Sequence, residues 1–556
     1  MIIKLVSTVK LKEHLTDGIF RLTLYAPEIA SISKPGQFVN VKVSDYFDPL
    51  LRRPFSICDA DGEYIKLIFN IAGKGTKILA ELEQGDEVDL FGPLGRGFEV
   101  DDDFDVALIV AGGLGVAPFP FLVKILKEKE NIEYNAIFEP ADIENDFLFV
   151  EPKTFLIKWT NVRDYIRKVS KIVKDFKFKK VLLNIKSNEN LLFAIEELYY
   201  QHYSFDKYKS KINNFDVVYF IPSKIEGNNL AKIISEGVNY TRDLVNEPPN
   251  KIYPETLKSE AEKIAKNYNF EIEVFDRSQL EKMGFNAFLA VASGSDKEPY
   301  FVHIGYKNGD PKLKIAIVGK ALTFDSGGLN IKTYEGMIDM KIDMAGAGIV
   351  LGLFDIIGKL KLKDIEIHGF FATCENMPSG KAMKPGDVVK AYNGKTIEIL
   401  NTDAEGRLTL ADVLSYISKH YKHLDYIIDF ATLTGAIVVA LGEYRAGVFT
   451  PNLDLYNKIQ YYGSLADENY WLMPLDEKIA QKLKSKVADI KNTADRWGGA
   501  IFAALFLREF VEEPNKWAHI DVAGVAYNNE IGATGFGVRT IIYWILDTLK
   551  FSKIGG

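Results

Sequence analysis

The sequence predicts a multidomain protein: an N-terminal antiparallel β-barrel, a truncated α/β unit, and a large α/β domain with a mixed, mostly parallel sheet. The 556 residues exceed the about 250–300 residues at which a single hydrophobic core stops growing. The first hundred residues hold short strand-like runs without a useful helical pattern. From about residue 216 onward, strands and helices alternate. We place the domains at 1–100, 101–138, 139–215 and 216–556.

Composition excludes several classes of function. The chain is 47% hydrophobic and 26% charged, which is typical of soluble globular proteins. Its net charge of −8 and the lack of a long basic cluster argue against nucleic acid as a partner. Cys58 and Cys374 are too few for a disulfide framework or an Fe–S cluster. No signal peptide or membrane span is predicted, so we expect a cytoplasmic protein that binds no membrane.

Four β-branched or aromatic runs in the first domain are broken by Gly, Pro and Asp, and they predict a small antiparallel barrel. They cover residues 19–26, 37–44, 64–71 and 87–91. A buried strand at 106–111 is followed by glycines, a helical stretch that ends near Glu130, and a further strand at 131–138. This order is typical of the start of an α/β unit.

The segment 139–215 predicts helices at 162–176 and 189–203 around a strand at 180–185. Its frequent lysines indicate a solvated helix face. Beyond it, the predicted elements alternate at 215–221, 257–268, 315–319, 365–372 and 426–430. In such sheets the functional residues gather in loops after the carboxyl ends of strands.

The seven histidines are scattered and no H-E-x-x-H occurs, so any metal must be held mainly by oxygen ligands. Three segments offer such ligands in loops after predicted strands: 318–328, 340–344 and 401–408. Any one of them alone is more often a solvated turn than a functional site. Their combination favours a metal site.

Residues of the first and third segments have physical peculiarities. Asp403 and Glu405 would project to the same side of an extended segment, where they repel unless a cation lies between them. Asp325 precedes Ser-Gly-Gly, which lets backbone approach closely. Lys320 follows the apolar run 315–318, and a lysine in a partly buried loop is costly unless it is paired, deprotonated or metal-bound. A snorkelling surface lysine is the simpler alternative.

The segment Asn401-Thr402-Asp403-Ala404-Glu405-Gly406-Arg407-Leu408 resembles the signature of the leucyl aminopeptidase family, the cytosolic two-metal exopeptidases. Further segments match the family in the same order: 242–250, 376–380, 385–388, 431–436, 519–521 and 532–537. The resemblance covers about 220–545. It implies a hydrolase that releases N-terminal amino acids from peptides, Leu and other apolar residues preferred.

The resemblance also implies roles for single residues. Asp325, Asp403 and Glu405 would bind one divalent metal ion, and Lys320, Asp325, Asp343 and Glu405 the other. Zinc and manganese are the first candidates, and magnesium is a third. Lys332 would stabilise the oxyanion of the tetrahedral intermediate in peptide hydrolysis. Arg407 would hold a bicarbonate that acts as general base. Met340, Asn401, Thr432 and Leu433 would contact the substrate.

The barrel carries a second resemblance. Residues 52–57, 73–76 and 92–98 are similar to the flavin-binding barrel of the ferredoxin-reductase superfamily, most closely the electron-transfer subunit of dihydroorotate dehydrogenase. The resemblance implies an FAD site in which Arg53 pairs with the pyrophosphate. Pro54, Phe55 and Ser56 would lie on the flavin side of that site, and Gly75 and Thr76 would bind phosphate. The loop 112–118 resembles the start of the partner nucleotide domain.

Three hypotheses follow: a metalloaminopeptidase with an appended flavin-type module, an FAD-binding electron-transfer component, and an inactive interaction protein. The resemblance to that electron-transfer subunit implies a longer nucleotide domain and a four-cysteine [2Fe–2S] site at its end. This chain has only two cysteines and a shortened nucleotide segment, which argues against the second hypothesis. All five metal-ligand positions are present with Lys332 and Arg407, which argues against the third. We therefore favour a fusion, of natural or artificial origin, whose peptidase part would form a homohexamer by resemblance.

Overall fold

The computed structural model describes residues 2–16, 18–44, 49–98, 117–127, 137–138, 146–150, 153–157, 161–176, 180–183, 188–211, 218–220 and 228–551. The chain forms two compact units. One contains residues 1–194 and 211–225, and the other contains 195–210 and 226–556. The strand predicted at 106–111 and most of the following glycine loop lie outside the described residues.

The first unit begins with a closed six-stranded antiparallel barrel. The predicted small antiparallel barrel is confirmed, but two of its six strands, β1 and β4, were not among the four predicted runs. Its strands are β1 (Ile3–Thr16), β2 (Ile19–Tyr25), β3 (Phe38–Lys42), β4 (Arg53–Asp61), β5 (Tyr64–Asn70) and β6 (Glu87–Leu94). The order around the barrel is β1-β2-β5-β4-β3-β6, and β6 closes it on β1. In β3, alternate residues turn inward, so Val39 and Val41 join the barrel core.

Three helices accompany the barrel in the chain: α1 (Pro27–Ala30), α2 (Lys74–Glu81) and α3 (Phe119–Lys127). Smaller elements complete this unit and lead into the next. They are β7 (Ile137–Phe138), β8 (Asp146–Val150), β9 (Lys153–Ile157), α4 (Val162–Phe176), β10 (Lys180–Leu183), α5 (Asn188–Gln201) and β11 (Val218–Phe220). β10 pairs in parallel with β7 and β11, and β8 pairs with β9 as a hairpin. The two helices and the strand predicted in this segment are therefore present.

The second unit holds the remaining elements. Its helices are α6 (Asn228–Asn246), α7 (Pro254–Tyr268), α8 (Arg277–Met283), α9 (Asn286–Ala292), α10 (Tyr334–Met337), α11 (Ala345–Leu360), α12 (Gly406–His420), α13 (Gly435–Leu441), α14 (Leu453–Ala466), α15 (Glu477–Ala480), α16 (Gly499–Arg508) and α17 (Val538–Thr548). Its strands are β12 (Glu271–Phe275), β13 (Tyr300–Asn308), β14 (Leu313–Asp325), β15 (Ile365–Asn376), β16 (Val388–Lys390), β17 (Thr396–Glu398), β18 (Tyr426–Ala431), β19 (Ala446–Phe449), β20 (Tyr470–Leu472), β21 (Ile490–Lys491), β22 (Trp517–Asp521), β23 (Tyr527–Asn528) and β24 (Gly532–Ala533). Short 3-10 helices cover Met340–Ile342, Gln481–Leu483 and Pro514–Lys516.

An eight-stranded sheet in the order β12-β13-β15-β14-β18-β22-β19-β20 forms the centre of this unit. The four central strands, β15, β14, β18 and β22, are mutually parallel. β13 and β19 pair with them in antiparallel fashion. The central strands are buried along nearly their whole length, because helices cover a parallel sheet on both faces. The predicted mixed, mostly parallel sheet is confirmed.

Strand β14 is longer than the run predicted at 315–319. It pairs with β15 from Leu313 opposite Ile365 to Asp325 opposite Asn376. Lys320 and Asp325 therefore lie on the strand, and their expected position in a following loop was wrong. The polar residues stay in the sheet because the neighbouring strand continues to satisfy their backbone groups.

The start of α11 touches β14 at two glycines. A Cβ added to Gly319 would lie 2.3 Å from the carbonyl carbon of Gly346, and one added to Gly346 would lie 2.5 Å from the backbone nitrogen of Lys320. The strand and the helix can approach this closely only because both residues are glycines. The contact fixes the position of the Lys320 backbone relative to the start of α11. Among the described helices, none is long and apolar enough to span a membrane.

Replacing Gly319 with alanine should destabilise the second unit by about 1–3 kcal/mol, because the new methyl group meets helix backbone that cannot move aside cheaply. Urea unfolding followed by the fluorescence of the buried Trp517 and Trp544 measures the effect. Gly380→Ala is the matched control, since an added Cβ there meets no atom within 4 Å. Equal unfolding midpoints for the two variants would contradict the close packing described here.

Candidate metal centre

Four carboxylates and two lysines meet beside the carboxyl end of β14. Asp325 ends that strand, Asp343 follows the short helix Met340–Ile342, and Glu405 precedes the first residue of α12. Carboxylate oxygens of these three residues all lie within 4.8 Å of one another, and all three side chains are buried. Asp403, Lys320 and Lys332 complete the group through ion pairs. Residues distant in the sequence thus form one cluster.

Lys320 occupies the interior of the cluster. Its Nζ lies 2.8 Å from Oδ2 of Asp343 and 2.9 Å from Oε1 of Glu405, and it donates to the backbone oxygen of Thr432 at 3.1 Å. Burial alone would lower the pKa of Lys320, but Asp343, Glu405 and Asp325 together raise it. Lys320 is buried and paired, which is one of the three states expected for a lysine at this position, and the alternative of a snorkelling surface residue was wrong.

Lys332 bridges the other two carboxylates. Its Nζ lies 2.8 Å from Oδ2 of Asp325 and 2.5 Å from Oδ1 of Asp403. Burial opposes its charge, yet the neighbouring carboxylates, Asp325 first, raise the pKa of Lys332 above its usual value. Each lysine therefore holds two carboxylates in place.

Neutral donors fix the orientation of two of these carboxylates. Oδ1 of Asp325 accepts hydrogen bonds from the backbone nitrogen of Gly327 at 2.9 Å and from Nδ2 of Asn376 at 2.8 Å. Oδ1 of Asp343 accepts from the hydroxyl of Thr432 at 2.7 Å. Such outer partners orient metal ligands and tune their affinity.

The centre has more negative than positive charge. When ionised, four carboxylates face two ammonium groups, and Oε2 of Glu405 is buried without a hydrogen-bond partner among the described residues. Burial, and after it the charge of Asp325, raises the pKa of Glu405 to about 8. Burial likewise raises the pKa of Asp343 to about 6. A divalent cation would neutralise this excess and ligate the free oxygen, so the donor set fits a metal.

Three glycines let the backbone approach the centre. A Cβ on Gly406 would lie 2.4 Å from Cε of Lys320, so a larger residue there would displace the lysine. Gly327 and Gly328 have φ values of +87° and +63°, which favour glycine. A Cβ on Gly328 would lie 2.8 Å from Oδ1 of Asn376. The close approach predicted for the Ser-Gly-Gly turn is confirmed.

Arg407 is the second residue of α12 and follows Gly406 directly. Its Nη1 donates to the backbone oxygen of Asn492 at 2.6 Å, and its guanidinium lies 5.8 Å from the ring centre of Phe502. Burial lowers the pKa of Arg407 to about 10, so it remains a cation at neutral pH. Its buried Nε has no partner within the described part of the chain. An unused cationic donor fits a small anion.

Comparison with known proteins decides the family. The family model described as "Cytosol aminopeptidase family, catalytic domain" matches residues 239–542. The chain belongs to the cytosol aminopeptidase family. It is therefore a leucyl aminopeptidase-type hydrolase. The family and the Mn-bound structural relative described below support a metal-dependent aminopeptidase.

Individual relatives agree with this assignment. The chain is 50% identical to the probable cytosol aminopeptidase of Aquifex aeolicus over 357 residues, which cover 62% of this chain and 72% of that protein. It is 46% identical to that of Sulfurihydrogenibium sp. over 419 residues, or 70% of this chain and 82% of the relative. The structure of the bottromycin maturation enzyme BotP in complex with Mn is similar, with a TM-score of 0.65 and 32% identity over 70% of this chain and 88% of that one.

The backbone at Glu405 of this aminopeptidase differs from the predicted extended conformation. Asp403 and Glu405 were expected on one side of an extended segment. Glu405 instead has helical backbone angles, φ −81° and ψ −37°, because α12 starts at the next residue. The two side chains consequently contact different lysines, Asp403 with Lys332 and Glu405 with Lys320.

Three residues assigned to substrate binding contact the residues of the centre or their neighbours. Thr432 binds Asp343, the backbone nitrogen of Leu433 donates to Oδ1 of Asp521 at 3.1 Å, and Oδ1 of Asn401 accepts from the backbone nitrogen of Asp403 at 2.9 Å. Met340 starts the short helix that leads to Asp343. Their roles toward substrate stay predictions.

Two asparagines without a predicted role, Asn376 and Asn492, support the aminopeptidase centre. Nδ2 of Asn376 donates to Asp325 and to the backbone oxygen of Thr402 at 3.0 Å. Asn492 accepts from Arg407 through its backbone and donates its Nδ2 to the backbone oxygen of Asn401 at 2.7 Å. Asn376 begins one of the family-like segments, and that position was the available signal. Asn492 had none.

The residues proposed for FAD lie on or beside the barrel. Arg53 Nη1 donates to the backbone oxygen of Leu51 at 2.8 Å, and a Cβ on Gly75 would lie 3.2 Å from Nε of Arg53. The hydroxyl of Thr76 accepts from the backbone nitrogens of Ala72 and Gly73. Pro54 and Ser56 pair with β3, and the ring of Phe55 lies 5.6 Å from that of Phe69. These contacts bring Arg53 and Gly75 together, and FAD binding stays a prediction.

Thr432→Val should weaken metal binding by about 10–100-fold, because it removes the hydroxyl that orients Asp343 while nearly keeping the side-chain volume. Thr432→Ser retains the hydroxyl and should bind metal like the parent. Equilibrium dialysis of the apoprotein against Mn²⁺ measures both. Identical affinities in the valine and serine variants would show that this hydrogen bond does not tune the centre.

Proposed function

We propose that the chain is a two-metal exopeptidase that releases N-terminal amino acids, Leu and other apolar residues preferred, from peptides. The observation that carries the proposal is the buried cluster of Asp325, Asp343 and Glu405 around Lys320. Its donor set matches the ligands implied by the family signature. A scaffold role would not require so much buried, uncompensated negative charge.

Two overlapping ligand sets fit this cluster. Asp325, Asp403 and Glu405 would hold one ion, and Lys320, Asp325, Asp343 and Glu405 the other, with zinc, manganese or magnesium as the ion. Lys320 would contribute as a neutral amine, so its proton must leave when the second site fills. Paired divalent ions supply a nucleophile at neutral pH by lowering the pKa of water.

The two remaining cations act on the reacting peptide bond. Lys332 approaches the cluster from the side of Asp325 and Asp403, and its ammonium would donate to the negative charge that develops on the peptide carbonyl oxygen. Arg407 would hold bicarbonate through its unused Nε, and that anion would accept a proton from the attacking water. Met340, Asn401, Thr432 and Leu433 would line the substrate side.

Assembly and location belong to the same proposal. We propose a homohexamer in the cytoplasm, which the resemblance to the family implies. Size-exclusion chromatography with light scattering of the full chain tests the assembly, and a monomer over the working concentration range would reject it.

Hydrolysis of leucine p-nitroanilide by the purified full chain with Mn²⁺ or Zn²⁺ is the direct test. Activity should appear with metal, disappear with chelator, and fall to background in Glu405→Gln, which loses a shared ligand at constant shape. Glu335→Gln is the matched control because Glu335 is exposed and outside the cluster. A folded, metal-loaded parent without activity would reject the proposal.

Lys332→Met separates the role of that lysine from metal binding. Its kcat should fall by about 10²–10³-fold because the developing oxyanion loses a donor. Metal content should be kept, since no assigned ligand is removed. Lys381→Met, at an exposed loop position, should behave like the parent. Parental kcat in Lys332→Met would exclude a catalytic role.

The barrel supports a second candidate function, FAD binding as in an electron-transfer component. The observation in its favour is the closed six-stranded barrel with Arg53 beside Gly75. The full chain incubated with FAD and freed of excess ligand should then keep a flavin absorption spectrum, and Arg53→Ala should lose it. A parent chain without flavin absorption would reject FAD binding and leave the proposed peptidase function unaffected.

A further inference from the structure

A second group of titratable side chains lies at the amino end of β15. Glu366 and His368 are near the start of that strand, His303 lies on β13, and His423 lies between α12 and β18. At about 3.3 Å per residue, β15 separates Glu366 from Asn376, beside Asp325, by roughly 30 Å. The group is therefore separate from the metal centre described above.

Strand register brings three of these residues to one face of the sheet. Successive side chains alternate, so Glu366, His368 and Phe370 share a face of β15. On β13 they pair with Lys307, Gly305 and His303, respectively. The glycine opposite His368 leaves room, since a Cβ there would lie 3.4 Å from both Nε2 of His303 and Nδ1 of His368.

The side chains form a continuous row of polar contacts. Oε2 of Glu273 lies 2.9 Å from Nδ1 of His303, whose Nε2 lies 2.9 Å from Nδ1 of His368. Nε2 of His368 lies 3.2 Å from Oε1 of Glu366, and Nε2 of His423 lies 2.5 Å from the same oxygen. Lys307 binds the other oxygen, Oε2, at 2.8 Å.

This row is one proton short. The three contacts from Glu273 through His303 and His368 to Glu366 each need one proton between their two atoms. Two neutral imidazoles supply two. His303 is 4% and His368 9% exposed, so a third proton would place a positive charge in a buried position.

A metal ion at the Glu366 end removes the shortage. His303 would then donate from Nδ1 to Glu273, and His368 would donate from Nδ1 to Nε2 of His303. The lone pair of Nε2 on His368 is thereby left to face Glu366. A ligating histidine that donates its other nitrogen to a polar partner is the usual arrangement in metal sites.

We propose that Glu366, His368 and His423 bind a divalent transition-metal ion, with zinc as the best fit, and that His303 and Glu273 orient His368. One ligand atom from each of the three residues lies within 4.8 Å of the others. Two imidazoles and one carboxylate are a common zinc set, with water as the fourth ligand. The side chain of His423 is 49% exposed, so the ion can reach the group from solvent, and Lys307 contacts Oε2 of Glu366 rather than the oxygen that faces the two histidines.

The effect expected from such an ion is stabilisation of the fold. His423 belongs to the segment between α12 and β18, and a shared ion would fasten that segment to the start of β15. Tyr421, in the same segment, already packs on His368 with ring centres 4.8 Å apart. Because the ion binds only the folded chain, occupancy should raise thermal stability.

Zinc content after equilibrium dialysis of the full chain against Zn²⁺ tests the proposal. The parent should hold one more equivalent than His423→Ala. His420→Ala is the matched control, since Nε2 of His420 lies 2.7 Å from the hydroxyl of Tyr392, outside the group, and it should equal the parent. The same difference should appear in a Glu405→Gln background, so the result does not depend on the proposed catalytic metals.

Two further readouts make the outcome decisive. In the Glu405→Gln background, Zn²⁺ should raise the melting temperature of the chain but not of its His423→Ala derivative. Glu366→Gln should also lose the extra equivalent. Equal zinc content in His423→Ala, Glu366→Gln and the parent would overturn the proposal and assign the missing proton to a histidine.

Discussion

The second unit depends on one constraint, the burial of Lys320 among carboxylates. A buried ammonium is tolerated only with close partners of opposite charge, and Asp343 and Glu405 provide them at 2.8 and 2.9 Å. Other features follow from keeping that position. Gly406 leaves space for the Lys320 side chain. The contact of Gly319 in β14 with Gly346 in α11 fixes the position of the Lys320 backbone. Thr432 binds both the lysine and Asp343, which links β18 to the same point.

The sequence predicted the elements whose side chains follow a regular pattern along the chain. Alternation in β3 and the apolar runs of β14 and β18 predicted a barrel and a mixed sheet, and both are present. β4 was missed because it starts with Arg53 and Pro54, which have no strand-like pattern. These residues form a strand because they pair with β3. Lys320 and Asp325 were expected in a loop for the same reason, since only the partner strand keeps such residues in a sheet.

Within the candidate site, the signature identified which residues meet but not how they meet. The helical turn at Glu405 depends on where α12 starts, and spacing two apart could not reveal it. Asn492 reaches Arg407 from a distant loop, so no local pattern marks it. The histidines of the β15 group were dismissed as scattered because 303, 368 and 423 are far apart in sequence. Strand register brings His303 and His368 together.

The two lysines explain how such a charged centre can exist before it binds metal. Each bridges two carboxylates, so every carboxylate has at least one cationic neighbour and the four can approach without an ion between them. The compensation is incomplete, because two positive charges face up to four negative ones. Part of the uncompensated negative charge lies on Oε2 of Glu405, which is buried and has no hydrogen-bond partner among the described residues. The lysines thus hold the four carboxylates together without an ion, and the residual negative charge would attract a divalent cation. An apolar core at this position would give neither.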